Sequence, residues 1–154
     1  LNDARAGLLT PSFDRIVEAN TLMSGLGFES GGLALAHSLH NGLTAMKETH
    51  LFMHGEKVAF GALVQLIVEA RDKTILFEVL SFCLSVGLPI TLADIGLAKL
   101  TLEQAGAIAE LTLAPHESAH NEPIPLTPQL IIDAIFAADA EGRAFKSNAA
   151  LSEA

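Results

Sequence analysis

The sequence has no tryptophan and no tyrosine, a single cysteine, and only nine lysines and arginines among its 154 residues. Each shortage argues against a class of function. Nine basic residues against 18 acidic ones leave a net charge of -9, which offers no attractive field to phosphate backbones or anionic lipid. Nucleic acid and membrane surfaces are therefore not expected partners. Cys83 alone cannot close an internal disulfide, which fits a reducing compartment. No apolar run is long enough to cross a bilayer: the best window, "TILFEVLSFCLSVGLPIT" from Thr74 to Thr91, is interrupted by Glu78 and stopped by Gly87 and Pro89. The N-terminus has no basic region leading into an apolar stretch and a small-residue cleavage site, so a cytoplasmic location is expected.

What remains is helix-forming and apolar. Half of the residues are hydrophobic, mostly Ala, Leu and Ile, and this balance favours packed helices over sheets. The length suits one domain, residues 1–154, built around a single core. A mean hydropathy of +0.41 is high for a soluble monomer. Some apolar surface is thus expected to meet another subunit or domain, as in a homo-oligomer or part of a larger chain.

Cap and stop signals divide the chain into about six helices, an all-α bundle. Thr10-Pro11 opens the first, which the spacing of Ile16, Ala19, Asn20 and Met23 carries to a turn at Gly25 and Gly27. Leu33, Ala34, Ala36, His37 and His40 form the second, with Ser30 as its expected N-cap and Asn41-Gly42 as its close. A linker of roughly a dozen residues follows, long enough to suggest a role of its own. The third helix starts at His54-Gly55, the fourth after Asp72 with a stop at Gly87, and the fifth at the Thr101/Gln104 capping box, running to about Leu113. The proline-bearing stretch "APHESAHNEPIPLT" reads as a loop. Thr127-Pro128 opens the sixth helix, expected to reach Gly142 and leave a loosely held tail after Lys146.

Four of the six histidines fall within "GGLALAHSLHNGLTAMKETHLFMHGEK", Gly31 to Lys57. His37 and His40 are three apart, about 60° around a helix, and His50 and His54 are four apart. Neutral imidazole is a common ligand of divalent metals, and two histidines from separate helices plus one carboxylate make a usual catalytic site. By spacing alone, an HxxH pair at a helix end is more often a solvated or capping pair than a pair of metal ligands. The HExxH peptidase pattern is absent.

Longer stretches carry a resemblance. "RIVEANTLMSGLGFESGGLALAHSLHNGLTAMKETHLFMHGEKVAFGALVQLIVE", Arg15 to Glu69, together with "VGLPITLADIGL", the His120-Asn121 pair and "TPQLIIDAIFAADAEG", closely resembles the C-terminal half of the glycerol dehydrogenases, within the metal-dependent (iron-containing type) alcohol dehydrogenase family. The likeness covers nearly the whole chain. It implies that His37 and His54, 17 residues apart, coordinate a divalent metal, zinc in glycerol dehydrogenases, and so also contact substrate. It leaves His40 lining or supporting the pocket and His50 as a solvated linker residue. The implied reaction oxidises glycerol, or a similar small vicinal diol, to a hydroxyketone such as dihydroxyacetone. The metal holds the alkoxide and hydride passes to NAD.

The resemblance also shows what these residues do not contain. No position matches the family's third ligand, an aspartate, or its parallel strands and glycine-rich phosphate loop; "GLGFESGG" follows a helix and reads as a turn. The expectation is a helical metal-binding domain without its N-terminal NAD-binding partner, truncated or cleaved, inactive alone and prone to self-association. A stand-alone helical metal-binding or interaction module is the alternative, and a helical metallohydrolase a weaker one for want of a general base at suitable spacing. Phe28 could wall the substrate pocket, while His120-Asn121 reads as a solvated loop. Phe77, Phe82, Phe136 and Phe145 are expected in the core, Glu56 and Lys57 as a first-turn charged pair, and Cys83 as a small buried apolar residue.

Overall fold

A computed structural model describes residues 2–152. It is helical throughout, with no β-strand among the described residues, as the composition predicts. No helix among them is long and apolar enough to cross a membrane. The chain divides into two compact units, Leu1–Leu33 and Ala34–Ala154, where the sequence suggests one domain.

The first unit contains α1 (Asn2–Arg5), α2 (Pro11–Glu18), a wider π-type turn over Ala19–Met23, and α3 (Ser24–Gly31). Thr10 caps α2 as expected, its hydroxyl accepting from the Phe13 amide at 3.3 Å with Pro11 in the first turn. The expected stop at Gly25 and Gly27 does not occur. A glycine costs a helix only about 1 kcal/mol relative to alanine, so both are carried within α3. The chain breaks at Gly32, whose φ of 71° suits glycine. Ser30 accordingly lies inside α3 and does not cap the following helix.

The second unit is built on α4 (Leu35–Leu43), α5 (His54–Val68), α6 (Lys73–Val86), α7 (Leu102–Thr112) and α8 (Pro128–Ser152). Short 3₁₀ turns at Lys47–Leu51, Leu92–Ile95 and Ser118–Asn121 join them. Leu35, Leu39 and Leu43, four apart on α4, are fully buried with Phe60, Leu63 and Val64 of α5, Ile108 of α7, and Ile131 and Ile135 of α8. α4 packs between α5 and α7 at very short range. A Cβ added to Gly61 would lie 2.5 Å from the Ala36 carbonyl oxygen, and one added to Gly42 would lie 2.6 Å from that of Ile108.

Several local expectations hold: the Asp72 cap, the αL stop at Gly87, the Thr101/Gln104 capping box and the Thr127 cap all occur. Others are corrected. α8 passes straight through Gly142, because that glycine makes room for the Ile90 carbonyl rather than ending the helix. The tail is helical to Ser152, and Lys146 pairs with Asp94. Phe136 and Phe145 pack partly buried against the core, but Phe77 and Phe82 stand on the outer side of α6, Phe82 62% exposed. Lys57 is buried and its ammonium donates to the Thr49 carbonyl at 3.5 Å, while Glu56 turns back to accept from the Met53 amide at 2.6 Å. The two therefore do not form a first-turn pair.

Candidate metal centre

The histidines of the second unit are sorted by where their helices begin and end. His37 lies in the first turn of α4, His40 one turn further, and His54 is the first residue of α5. The close α4–α5 packing at Gly61 and Ala36 brings these positions together. The rings of His37 and His54 lie 5.4 Å apart, centre to centre, tilted by 47°. His40 meets His54 edge-on at 4.3 Å.

Ring nitrogens separate the members further. His50 Nε2 is hydrogen-bonded to the Thr44 carbonyl at 2.9 Å and His120 Nε2 to that of Ala114 at 3.2 Å; both residues are exposed. His40 Nδ1 faces Asn41 Oδ1 at 3.0 Å. The amide nitrogen of Asn41 donates to Glu117, which leaves its oxygen to accept and places a proton on His40 Nδ1. Among the described residues, no hydrogen bond engages the His37 or His54 ring. Burial pushes the His37 imidazole below its ordinary pKa, and the neighbouring His54 adds to the shift. His40 is lowered chiefly by burial as well, with the Asn41 contact opposing and His54 and Lys57 adding. The lowered pKa values favour neutral rings, the form in which imidazole ligates a metal.

Two imidazoles sharing one ion at the usual zinc–nitrogen distance of about 2.1 Å have ring centres roughly 5 Å apart. The His37–His54 separation therefore suits a shared divalent ion, whereas the shorter edge-on approach of His40 is an aromatic contact. No group of three or more His, Cys, Asp or Glu side chains suited to a metal occurs among the described residues. Phe28 belongs to α3 in the first unit and is 55% exposed.

Sequence patterns did not reveal the groups that hold this cluster. α4 begins after Ala34, which has no capping side chain, and the first amides of the helix are instead satisfied from afar. Glu122 accepts from the Leu35 amide at 2.9 Å and Gln65 from that of Ala36 at 3.1 Å. A helix start lacking Ser, Thr, Asp or Asn is the one local sign that such remote acceptors exist.

No protein-family model matches the chain. It is 51% identical over 141 residues to a glycerol dehydrogenase of Pseudomonas putida, a match covering 92% of this chain and 39% of that protein. With a glycerol dehydrogenase of Thermotoga maritima the identity is 50%, covering 90% of this chain and 38% of the relative. The crystal structure of glycerol dehydrogenase from Schizosaccharomyces pombe superposes with a TM-score of 0.92 at 43% identity, covering 96% of this chain and 38% of that one. The chain thus spans well under half the length of these relatives. The similarity extends over nearly all of this chain, at both sequence and fold level, and includes the segments that carry His37 and His54. The chain belongs to the glycerol dehydrogenase family and corresponds to its C-terminal helical domain.

Proposed function

We propose that this chain is the metal-binding domain of an NAD-dependent glycerol dehydrogenase, which oxidises glycerol or a similar small vicinal diol to the hydroxyketone. The observation that carries the proposal is the pairing of His37 and His54, 17 residues apart in sequence, at 5.4 Å with neither ring hydrogen-bonded among the described residues. His37 and His54 hold a divalent ion, zinc by the resemblance, between the start of α4 and the start of α5. When bound, that ion supplies Lewis-acid polarisation of the reacting hydroxyl.

The chain's own residues bind and orient. His37 and His54 present ring nitrogens from two helices whose backbones approach closely at Gly61. His40 carries its proton on Nδ1 toward Asn41, so its Nε2 is an acceptor for a substrate hydroxyl. The third metal ligand and the nicotinamide cofactor come from the nucleotide-binding half that the resemblance assigns to these enzymes. That half is the partner domain of this one, and the whole enzyme assembles as a homo-oligomer.

Elemental analysis and NAD-linked glycerol oxidation on one sample test the assignment. The 154-residue polypeptide is expected to retain zinc after buffer exchange, to lose it in His37→Ala and in His54→Ala, and to show no turnover without the nucleotide-binding half. Zinc retention unchanged in both variants would sink the ligand assignment. Robust turnover by the 154 residues alone would sink the division of labour.

A further inference from the structure

The helix that carries His37 and His40 is held along one stripe by a single short segment. Leu35, Ser38 and Asn41, spaced three apart on α4, each bond to the stretch from Glu117 to Glu122. Asn41 Nδ2 donates to both carboxylate oxygens of Glu117, at 3.1 and 3.0 Å. The Ser38 hydroxyl oxygen accepts from the Ala119 amide at 2.7 Å and lies 3.0 Å from the Ser118 hydroxyl. Ser118 also donates to the Ala34 carbonyl at 3.0 Å, and Glu122 Oε1 accepts from the Leu35 amide at 2.9 Å. With 100° per residue, this stripe lies roughly 130° around α4 from the stripe bearing His37 and His40.

The contacts fix both coordinates of the helix. Bonds at its first residue, its second turn and near its end prevent rotation, and the Glu122 carboxylate, in place of a local cap, sets its axial position. Gln65 completes the hold from the other side. Its Oε1 accepts from the Ala36 amide, immediately before His37, while its amide nitrogen donates to Glu69 at 2.7 Å. Gln65 lies on α5, the helix that begins with His54, so the two histidine-bearing helices are also tied directly.

We propose that Glu117–Glu122 is a positioning rail for the metal-binding histidines, with Glu122 as its principal positioning residue, acting through the start of α4 to keep the His37 ring against His54. This rests on the metal-site reading above for its purpose, but the geometry it predicts exists without metal. Glu122 is buried and its carboxyl is pushed above the ordinary range, first by burial, with the Leu35 amide opposing and the Glu69 carboxylate adding to the rise. Glu122 and Glu69 are also hydrogen-bonded to each other, and a glutamine keeps both contacts, since its oxygen accepts from Leu35 and its amide nitrogen donates to Glu69. Alanine removes both.

The first measurement uses the metal-free 154-residue chain. Ring-proton NOEs between His37 and His54 are expected in the wild type, kept in Glu122→Gln and lost in Glu122→Ala, with far-UV circular dichroism confirming that each variant is folded. The second is a Co²⁺ titration read by visible absorption, in which Glu122→Ala is expected to weaken binding about 10–100-fold and Glu122→Gln to restore it. If Glu122→Ala does not fold, the milder Ser118→Ala, which deletes one contact of the same rail, is measured the same way and is expected to weaken the NOEs. A folded Glu122→Ala with unchanged ring NOEs and Co²⁺ affinity overturns the rail. Wild type that shows the NOEs but takes up no Co²⁺ overturns the metal reading, and the NOEs of the variants still decide the rail.

Discussion

Asp94 shows how one side chain can organise a turn that no periodic pattern announces. Its carboxylate accepts from the amides of Ile90 and Thr91, both at 3.0 Å, and pairs with Lys146 on α8. Burial alone works to raise its pKa, but the Lys146 ammonium and the contacts at Ile90 and Thr91 outweigh it and hold the carboxyl below the ordinary range. A carboxyl with a depressed folded pKa stabilises the protein above its unfolded value of about 3.9, and this contribution fades as pH falls through that value toward the folded one. Asp94→Ala is therefore expected to cost about 1–3 kcal/mol at pH 7, from two stranded amides and a lost ion pair, and progressively less toward pH 3. Urea unfolding at several pH values checks this, and a deficit that stays constant down to pH 3 would count against the assignment. The histidines obey the same residue-level logic. Spacing leaves all four of the cluster comparable, whereas hydrogen bonding separates them: His40 and His50 have a ring nitrogen engaged, and among the described residues neither His37 nor His54 does.

Among the elements, glycine carries the most ambiguous local signal. Gly25, Gly27 and Gly142 resemble helix stops in sequence, yet all three lie within helices, and the break falls at Gly32. The sequence signal was ambiguous because glycine serves two ends: left-handed backbone at a terminus, and close approach inside a helix. Only the neighbours distinguish them. Gly61 is of the second kind, and Gly61→Ala would force its Cβ against the Ala36 carbonyl at 2.5 Å. A cost of about 1–3 kcal/mol is expected, with weakened zinc retention because Ala36 precedes His37. Gly106→Ala is the control: it meets nothing within 4 Å on α7 and is expected to stabilise by up to about 1 kcal/mol. Thermal melts of the two variants, run beside zinc analysis, separate a packing effect from a general one. Equal melting temperatures would refute the close-approach argument.

At the scale of the whole molecule, apolar exposure stands out. In the first unit Leu8, Leu9, Ile16, Val17, Met23 and Phe28 are all exposed, and no residue of its helices is buried. Surface of this kind matches the high mean hydropathy and drives association in water. The 154-residue polypeptide is expected to self-associate in light scattering behind gel filtration, and Ile16→Ser with Met23→Ser to shift it toward monomer; a wild type that elutes as monomer at all concentrations contradicts this. Much of the architecture was legible beforehand, because caps, stops and 3.6-residue periodicity are local: the all-α class, the starts of α2, α5, α6, α7 and α8, and the stop at Gly87 could be read from neighbours in the chain. The resemblance, likewise a property of the string of residues, singled out His37 and His54. Long-range contacts left no such trace. That Lys57 turns inward, that Phe82 faces outward, that Glu122 caps a helix 87 positions away, and that His40 approaches His54 more closely than His37 does all depend on which surfaces meet. Those are settled by side-chain volumes and backbone approach across α4 and α5, quantities that arise only when distant segments share one core.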